Sequence, residues 1–201
     1  MGGVSTTAPE ALARERELNS LYIVTVVVVL VIVTVTFGAL IFAFLWRSQN
    51  GYLWQHLRIP WLLWVTTAIL AASSWLLERA RGCLKAAEPA RFYRLVQWTT
   101  GLGVLFLLGQ GAAWWQVVHS RVLLAQDKHA WFIFLFSGMH ALHILAGLGG
   151  LAYLLYRARE PASGPRYQMT TRAYTNALAI FWHYLGFVWV VLFALLLTWR
   201  R

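Results

Sequence analysis

The sequence predicts an all-α membrane protein, a bundle of five transmembrane helices with a cytoplasmic N-terminus and a periplasmic C-terminus. Apolar residues make up 60 % of the 201 residues and charged residues only 12 %, whereas soluble domains average about half apolar and about a quarter charged. The apolar residues form five long stretches without Asp, Glu, Lys or Arg. The 17 Lys and Arg lie between these stretches, so we expect no nucleic-acid-binding patch.

Each apolar stretch is long enough to cross a bilayer, which takes about 20 helical residues. After a cytoplasmic tail over residues 1–20, the predicted spans are Leu21–Trp46, Ile59–Leu77, Leu95–Val118, Ala130–Tyr156 and Ala173–Trp199. The first span is rich in Val and Thr, but a backbone in lipid must satisfy its own hydrogen bonds and therefore forms a helix. The alternation typical of a membrane barrel does not occur. Residues 21–201 are predicted to form one domain.

The connections determine the predicted orientation. The N-terminal tail, the second connection and the fourth connection together contain 11 Lys and Arg, and the opposite side contains 6. Lys and Arg accumulate in cytoplasmic connections, so the N-terminus is predicted to be cytoplasmic. The third and fourth spans are dense in small residues, which let helix backbones approach closely in lipid.

The charge-free spans restrict the chemistry. A proton pump needs an ionisable group inside the membrane, usually a carboxylate, and none of the predicted spans contains one. Four polar residues are expected to meet at middle depth: Gln110, His140, His143 and His183. They allow two interpretations, a metal or haem site, since imidazole suits iron and copper, and a hydrogen-bonded brace between helices. The residue types alone favour the brace.

The last four spans contain motifs in a fixed order. The second span contains a Pro…Thr…Ser-Ser…Ala pattern, and the third a Gly…Phe…Gln…Trp run; their residues are Pro60, Thr67, Ser73, Ser74, Ala80, Gly103, Phe106, Gln110 and Trp114. The fourth contains Gly-x-His-x-x-His at Gly138, His140 and His143. The fifth contains an aromatic-Trp-His-aromatic motif and a following Val-Trp: Phe181, Trp182, His183, Tyr184, Val188 and Trp189. Together these motifs resemble the subunit III family of the haem-copper oxidases, in its short five-helix bacterial form.

The resemblance implies an accessory subunit of a proton-pumping terminal oxidase in a bacterial inner membrane, which reduces O2 to water with electrons from cytochrome c or quinol. Family members carry no haem or copper, so the resemblance implies no catalytic, cofactor-binding or metal-binding residue on this chain. It implies haem and copper in partner subunits, contact with subunit I, and bound phospholipid. Gln110, His140, His143 and His183 would then belong to a buried or lipid-facing interior, with Gly138, Trp182 and Trp189 as a packing motif.

Three other functions remain open from the sequence. A membrane cytochrome b would use His140 or His143 together with His183 as axial ligands. A companion of a nitric oxide reductase would have the same fold, since relatives of subunit III occur there. A stand-alone small-molecule carrier is the third alternative.

Overall fold

The computed structural model describes residues 8–49, 61–119, 128–159 and 165–198, which are helical apart from Trp61 and a turn at residues 86–88. The five helices are α1 (Ala8–Gln49), α2 (Leu62–Lys85), α3 (Pro89–His119), α4 (Lys128–Arg159) and α5 (Pro165–Thr198). They confirm the all-α class. Ile59 and Pro60, with which the second predicted span begins, and Trp199, with which the fifth ends, lie outside the described residues.

The helices are longer than the predicted spans. The predicted tail is helical from Ala8 onward, and α2 continues past Leu77 to Lys85. Ala, Leu, Glu and Arg dominate the extension of α1, and all four are good helix formers. Charged residues therefore limited the apolar stretch but did not end the helix.

Within the described residues, three helices contain stretches that are long and apolar enough to cross a membrane. These stretches cover residues 16–47 of α1, 134–159 of α4 and 169–197 of α5. They support the membrane class. Five crossings and their orientation stay predictions.

Helices α2, α3, α4 and α5 form a four-helix ring, in which each helix packs on the next and α5 packs back on α2. The core of the ring includes Phe106, Leu151 and Trp182. Helix α1 lies outside the ring, against α5 and to a smaller extent α4. A second cluster, with Val33 and Phe37 of α1, fills that interface.

At one end of the bundle α1, α3 and α5 begin while α2 and α4 end; we call this the basic end. There Arg172 Nη2 donates to the Leu84 carbonyl at 3.2 Å, and Arg159 Nε donates to the Tyr93 hydroxyl at 2.9 Å. Tyr22 of α1 packs edge-on against α5 at the same end. The described residues that flank the connections richer in Lys and Arg therefore lie at the same end of the bundle.

Candidate functional site

Trp182 is fully buried in the ring. Its indole Nε1 donates to Ser73 Oγ of α2 at 3.1 Å, and Ser73 in turn donates to the Leu70 carbonyl of its own helix at 2.7 Å. The only polar atom of the indole is thus satisfied inside an apolar interior, where leaving the N–H unpaired would cost about 1–2 kcal/mol. The hydrogen bond fixes the rotation of α5 against α2.

Glycines make room for this ring system. A Cβ on Gly103 of α3 would lie 2.9 Å from Trp182 Cη2, and a Cβ on Gly147 of α4 would lie 2.9 Å from Trp182 Cζ3. Both distances are too short for carbon atoms in contact. Trp182 therefore joins all four helices of the ring. A Cβ on Gly138 or Gly149 would meet no other atom within 4 Å.

Trp189 repeats the arrangement two turns further along α5. Its Nε1 donates to Thr67 Oγ1 of α2 at 2.9 Å, and Thr67 donates to the Leu63 carbonyl at 2.7 Å. A third indole, Trp114 of α3, donates to Ser137 Oγ of α4 at 2.9 Å. Three indole–hydroxyl pairs thus link neighbouring helices.

His140 is fully buried where the ring meets α1. Its imidazole packs among Phe37 of α1, Phe106 of α3 and Trp189 of α5, with ring centroids 6.4, 5.9 and 5.1 Å away. Neither nitrogen of His140 has a hydrogen-bond partner among the described residues, and the same holds for Gln110 Nε2. Gln110 is buried one turn of α3 from Phe106. Among the described residues, the contacts of the His140 imidazole are with these aromatic rings.

His143 lies beside His140 on α4 and faces the same Phe37 ring, with centroids 5.6 Å apart, whereas His183 lies elsewhere. His143 is half-buried, and its Nδ1 lies 2.7 Å from the Met139 carbonyl of its own helix. His183 lies on the seam between α5 and α2, where Nε2 is 3.4 Å from Glu78 Oε2. The structure therefore does not bring His183 into contact with His140. Position along a helix does not fix direction around it, and consecutive residues differ by about 100°.

Glu78 is the residue that the sequence left out of the site. It follows the predicted second span directly, and it contacts both His183 and Arg81, whose Nη1 lies 2.7 Å from Oε2. Arg81 also donates from Nε to Asn176 Oδ1 at 3.1 Å. Partial burial raises the pKa of Glu78, but hydrogen bonds and positive charge from Arg81 and then His183 outweigh it, so the pKa is lowered below 4.5. The sequence signal that could have identified Glu78 is its position, since this acidic residue comes directly after a predicted membrane span.

The chemistry that this interior offers is packing and polar pairing between helices. Within the described ranges, no group of three or more His, Cys, Asp or Glu side chains could hold a metal ion. Among the described residues, the helices of the ring are joined by three indole–hydroxyl hydrogen bonds and by the close contact of Gly103 and Gly147 with Trp182.

No family model matches the chain. Similar proteins are "Cytochrome c oxidase subunit 3" of Corynebacterium diphtheriae, 28 % identical over 96 % of this chain and 95 % of the relative, and "Probable cytochrome c oxidase subunit 3" of Nocardia farcinica, 27 % identical over 74 % and 69 %. The "Cytochrome c oxidase subunit 3" of Synechocystis is 28 % identical over 65 % of this chain, and the match spans about half, 54 %, of that relative. The chain is thus similar to proteins named cytochrome c oxidase subunit 3, the family that the motifs of the last four predicted spans resemble.

Proposed function

We propose that this chain is the accessory subunit III of a terminal respiratory oxidase in a bacterial inner membrane. The complex reduces O2 to water with electrons from cytochrome c or quinol, and its haem and copper lie in partner subunits. This chain packs against subunit I and carries no redox centre. Similarity to proteins named cytochrome c oxidase subunit 3, over nearly the whole chain in one case, supports the assignment.

The observation that carries the non-redox role is the use of polar groups in the ring. Trp182, Trp189 and Trp114 donate to hydroxyl groups on neighbouring helices. Each such bond contributes about 0.6 kcal/mol in a membrane protein. Side chains used in this way support a rigid surface on which other subunits assemble.

All five helices cross the membrane in this proposal, with the basic end in the cytoplasm. The concentration of Lys and Arg in the connections of that end supports this orientation. The orientation is tested with the variant Ser20→Cys in a Cys83→Ser background, to which a membrane-impermeant maleimide is added. Labelling is expected only after the cells are opened, and labelling of intact cells would reverse the orientation.

The central experiment deletes the chain and examines the oxidase that remains. We expect the haem absorption bands of the complex to persist, while its assembly yield and the number of turnovers before inactivation fall. Wild-type chain supplied from a plasmid is the control and should restore both. Loss of a haem band on deletion would contradict the proposal.

The purified chain separates this function from a cytochrome b. An accessory subunit has no Soret band, whereas a cytochrome b with His140 or His143 and with His183 as axial ligands has one. Proteins that co-purify in mild detergent then distinguish an oxidase from a nitric oxide reductase.

A further inference from the structure

A cavity of about 390 Å³ lies at the basic end between α1, α2 and α5. The volume is more than ten times the roughly 30 Å³ that one water molecule takes up in the liquid, so several side chains of another molecule fit. None of the motif residues lines the cavity. Its polar lining comes from all three helices: Arg16 and Asn19 of α1, Lys85 of α2, and Arg172 and Asn176 of α5.

The cavity is positively charged. Arg16, Lys85 and Arg172 all line it, and none of the described lining residues is acidic. No ion pair in the described part of the chain involves any of these three cations. The amide oxygen of Asn176 accepts from Arg81, which leaves the Asn176 NH2 group as a donor. The lining therefore fits an anion that accepts hydrogen bonds, such as a carboxylate.

The position of the cavity along the bundle favours an anion that comes from a protein. Trp75 of α2 and Trp98 of α3 are exposed at one level, ten residues before α2 ends and nine residues after α3 begins. Exposed indoles collect at the level of the lipid head groups. Lys85 follows Trp75 by ten residues and lies about 15 Å further along the helix axis. That distance is about twice the head-group layer, which is about 7 Å thick on each side of the bilayer.

An occupant of the cavity would contact two helices that do not otherwise meet. Over the described residues α1 packs on α5 and α4 but not on α2, and the cavity separates α1 from α2 at this end. A segment that lies between Arg16 and Lys85 has a cation on each side of it. Docking of such a segment would therefore tie α1 to the ring.

We propose that an acidic segment of another subunit of the complex docks in this cavity, with Asp or Glu carboxylates paired to Arg16, Lys85 and Arg172. The inference rests on the proposed function, because it requires an oxidase complex with a second subunit on the cytoplasmic side. It adds to that function a docking surface, formed by the basic ends of α1, α2 and α5, and the chemistry of the segment that binds there.

Zero-length cross-linking of the purified complex tests the proposal. A water-soluble carbodiimide forms an amide between an amine and a carboxylate that are in direct contact. The chain has two lysines, Lys85 and Lys128, and Lys128 begins α4 at the other end of the bundle. We expect mass spectrometry to find Lys85 joined to an Asp or Glu of another subunit. Linkage of Lys85 only to carboxylates of its own chain would overturn the proposal.

Two charge reversals on α1 provide a matched pair of variants. Arg14 and Arg16 are both exposed and lie two residues apart, but of the two only Arg16 lines the cavity. Arg16→Glu should lower the yield of the Lys85 cross-link at least about threefold, because like charges then face each other, and Arg14→Glu should leave the yield unchanged. Loss of the linked subunit from the Arg16→Glu complex alone would support the proposal equally. Equal losses in both variants would show only general surface charge and would overturn it.

A lipid in the cavity would give a different result. If phosphatidylglycerol added to the delipidated complex suppresses the Lys85 cross-link while every subunit stays bound, a lipid phosphate occupies the cavity and the proposal is wrong. An intact oxidase complex in which Lys85 reaches no partner carboxylate overturns this inference alone. Failure of the wild-type chain to co-purify with any oxidase subunit overturns the proposed function, and this inference with it.

Discussion

In an apolar 18-residue segment of α4 and of α5, 39 % of the residues are buried, whereas in the corresponding segment of α1 the proportion is 17 %. The ring is joined by indole–hydroxyl pairs and by glycines fitted to Trp182. Helix α1 is attached mainly by aromatic contacts around Phe37 and Phe44 and by a hydrogen bond between Thr34 and Tyr184. Lipid provides no hydrophobic force between helices, so shape and polar pairing decide which helices associate firmly. Specific side-chain contacts thus determine how the helices of the ring pack, whereas α1 is held more weakly.

The largest expected difference in stability is between two Phe→Ala variants, one in the ring and one in α1. Phe106 of the ring and Phe37 of α1 are both buried and both face the His140 ring. Phe106→Ala should lower the free energy of unfolding of the ring by about 4 kcal/mol, because the cavity lies among four packed helices. Phe37→Ala should lower it by less than about 1 kcal/mol, while α1 amides exchange at least about tenfold faster. Unfolding in SDS and hydrogen exchange measure the two; equal unfolding shifts would show that α1 belongs to the ring.

A second comparison stays within α4, where two glycines differ only in what they face. Gly147→Leu places carbon atoms into the Trp182 ring and should destabilise the purified chain by about 3 kcal/mol. Gly149, two residues on, lies on roughly the opposite face of α4. Gly149→Leu enters open space and should change the stability by less than about 0.5 kcal/mol. The temperature at which half of the monodisperse chain is lost in detergent measures both. Similar losses would mean that overall helix shape, not the fit to Trp182, limits packing.

These glycines illustrate what the sequence could predict. The density of small residues in the third and fourth spans predicted close packing, and Gly103 and Gly147 confirm it against Trp182. The same density includes Gly138 and Gly149, which face no neighbour within 4 Å. Spacing shows which residues share a helix face, but it does not show which face meets another helix.

The site residues follow the same rule. Trp182 and Trp189 are both buried. An indole has a large apolar ring and a single hydrogen-bond donor, so few environments suit it other than a packed interior that supplies an acceptor. His183, the next residue after Trp182, points instead to the α2 seam and Glu78. Depth along the helix predicted that His183 would lie beside His140. The direction in which His183 points is visible only from the contacts between the helices.

A smaller effect separates polar groups with and without partners in the ring. Ser73→Ala leaves the Trp182 N–H buried without an acceptor and should cost about 1–2 kcal/mol. His140→Phe removes no hydrogen bond to a described residue and keeps an aromatic ring among Phe37, Phe106 and Trp189, so its cost should stay below about 1 kcal/mol. SDS titration of both variants measures the difference. A larger loss for His140→Phe than for Ser73→Ala would show that the imidazole binds a partner after all.

The smallest effect lies at the seam of α2 and α5. Because the pKa of Glu78 is lowered in the folded chain, its contribution is present above the unfolded pKa and is lost as the pH falls through the folded value. The carboxylate is half exposed, so solvent screening limits that contribution to about 0.5 kcal/mol. Glu78→Gln should lower the stability by this amount at pH 7 and leave it unchanged below the folded pKa. Glu88→Gln is the matched control, since Glu88 pairs with Arg91 at the same spacing but with no second helix. Melting temperatures from pH 3 to 8 measure both. An equal change in the two variants would mean that the contact between Glu78 and His183 adds nothing to the pairing of α2 and α5.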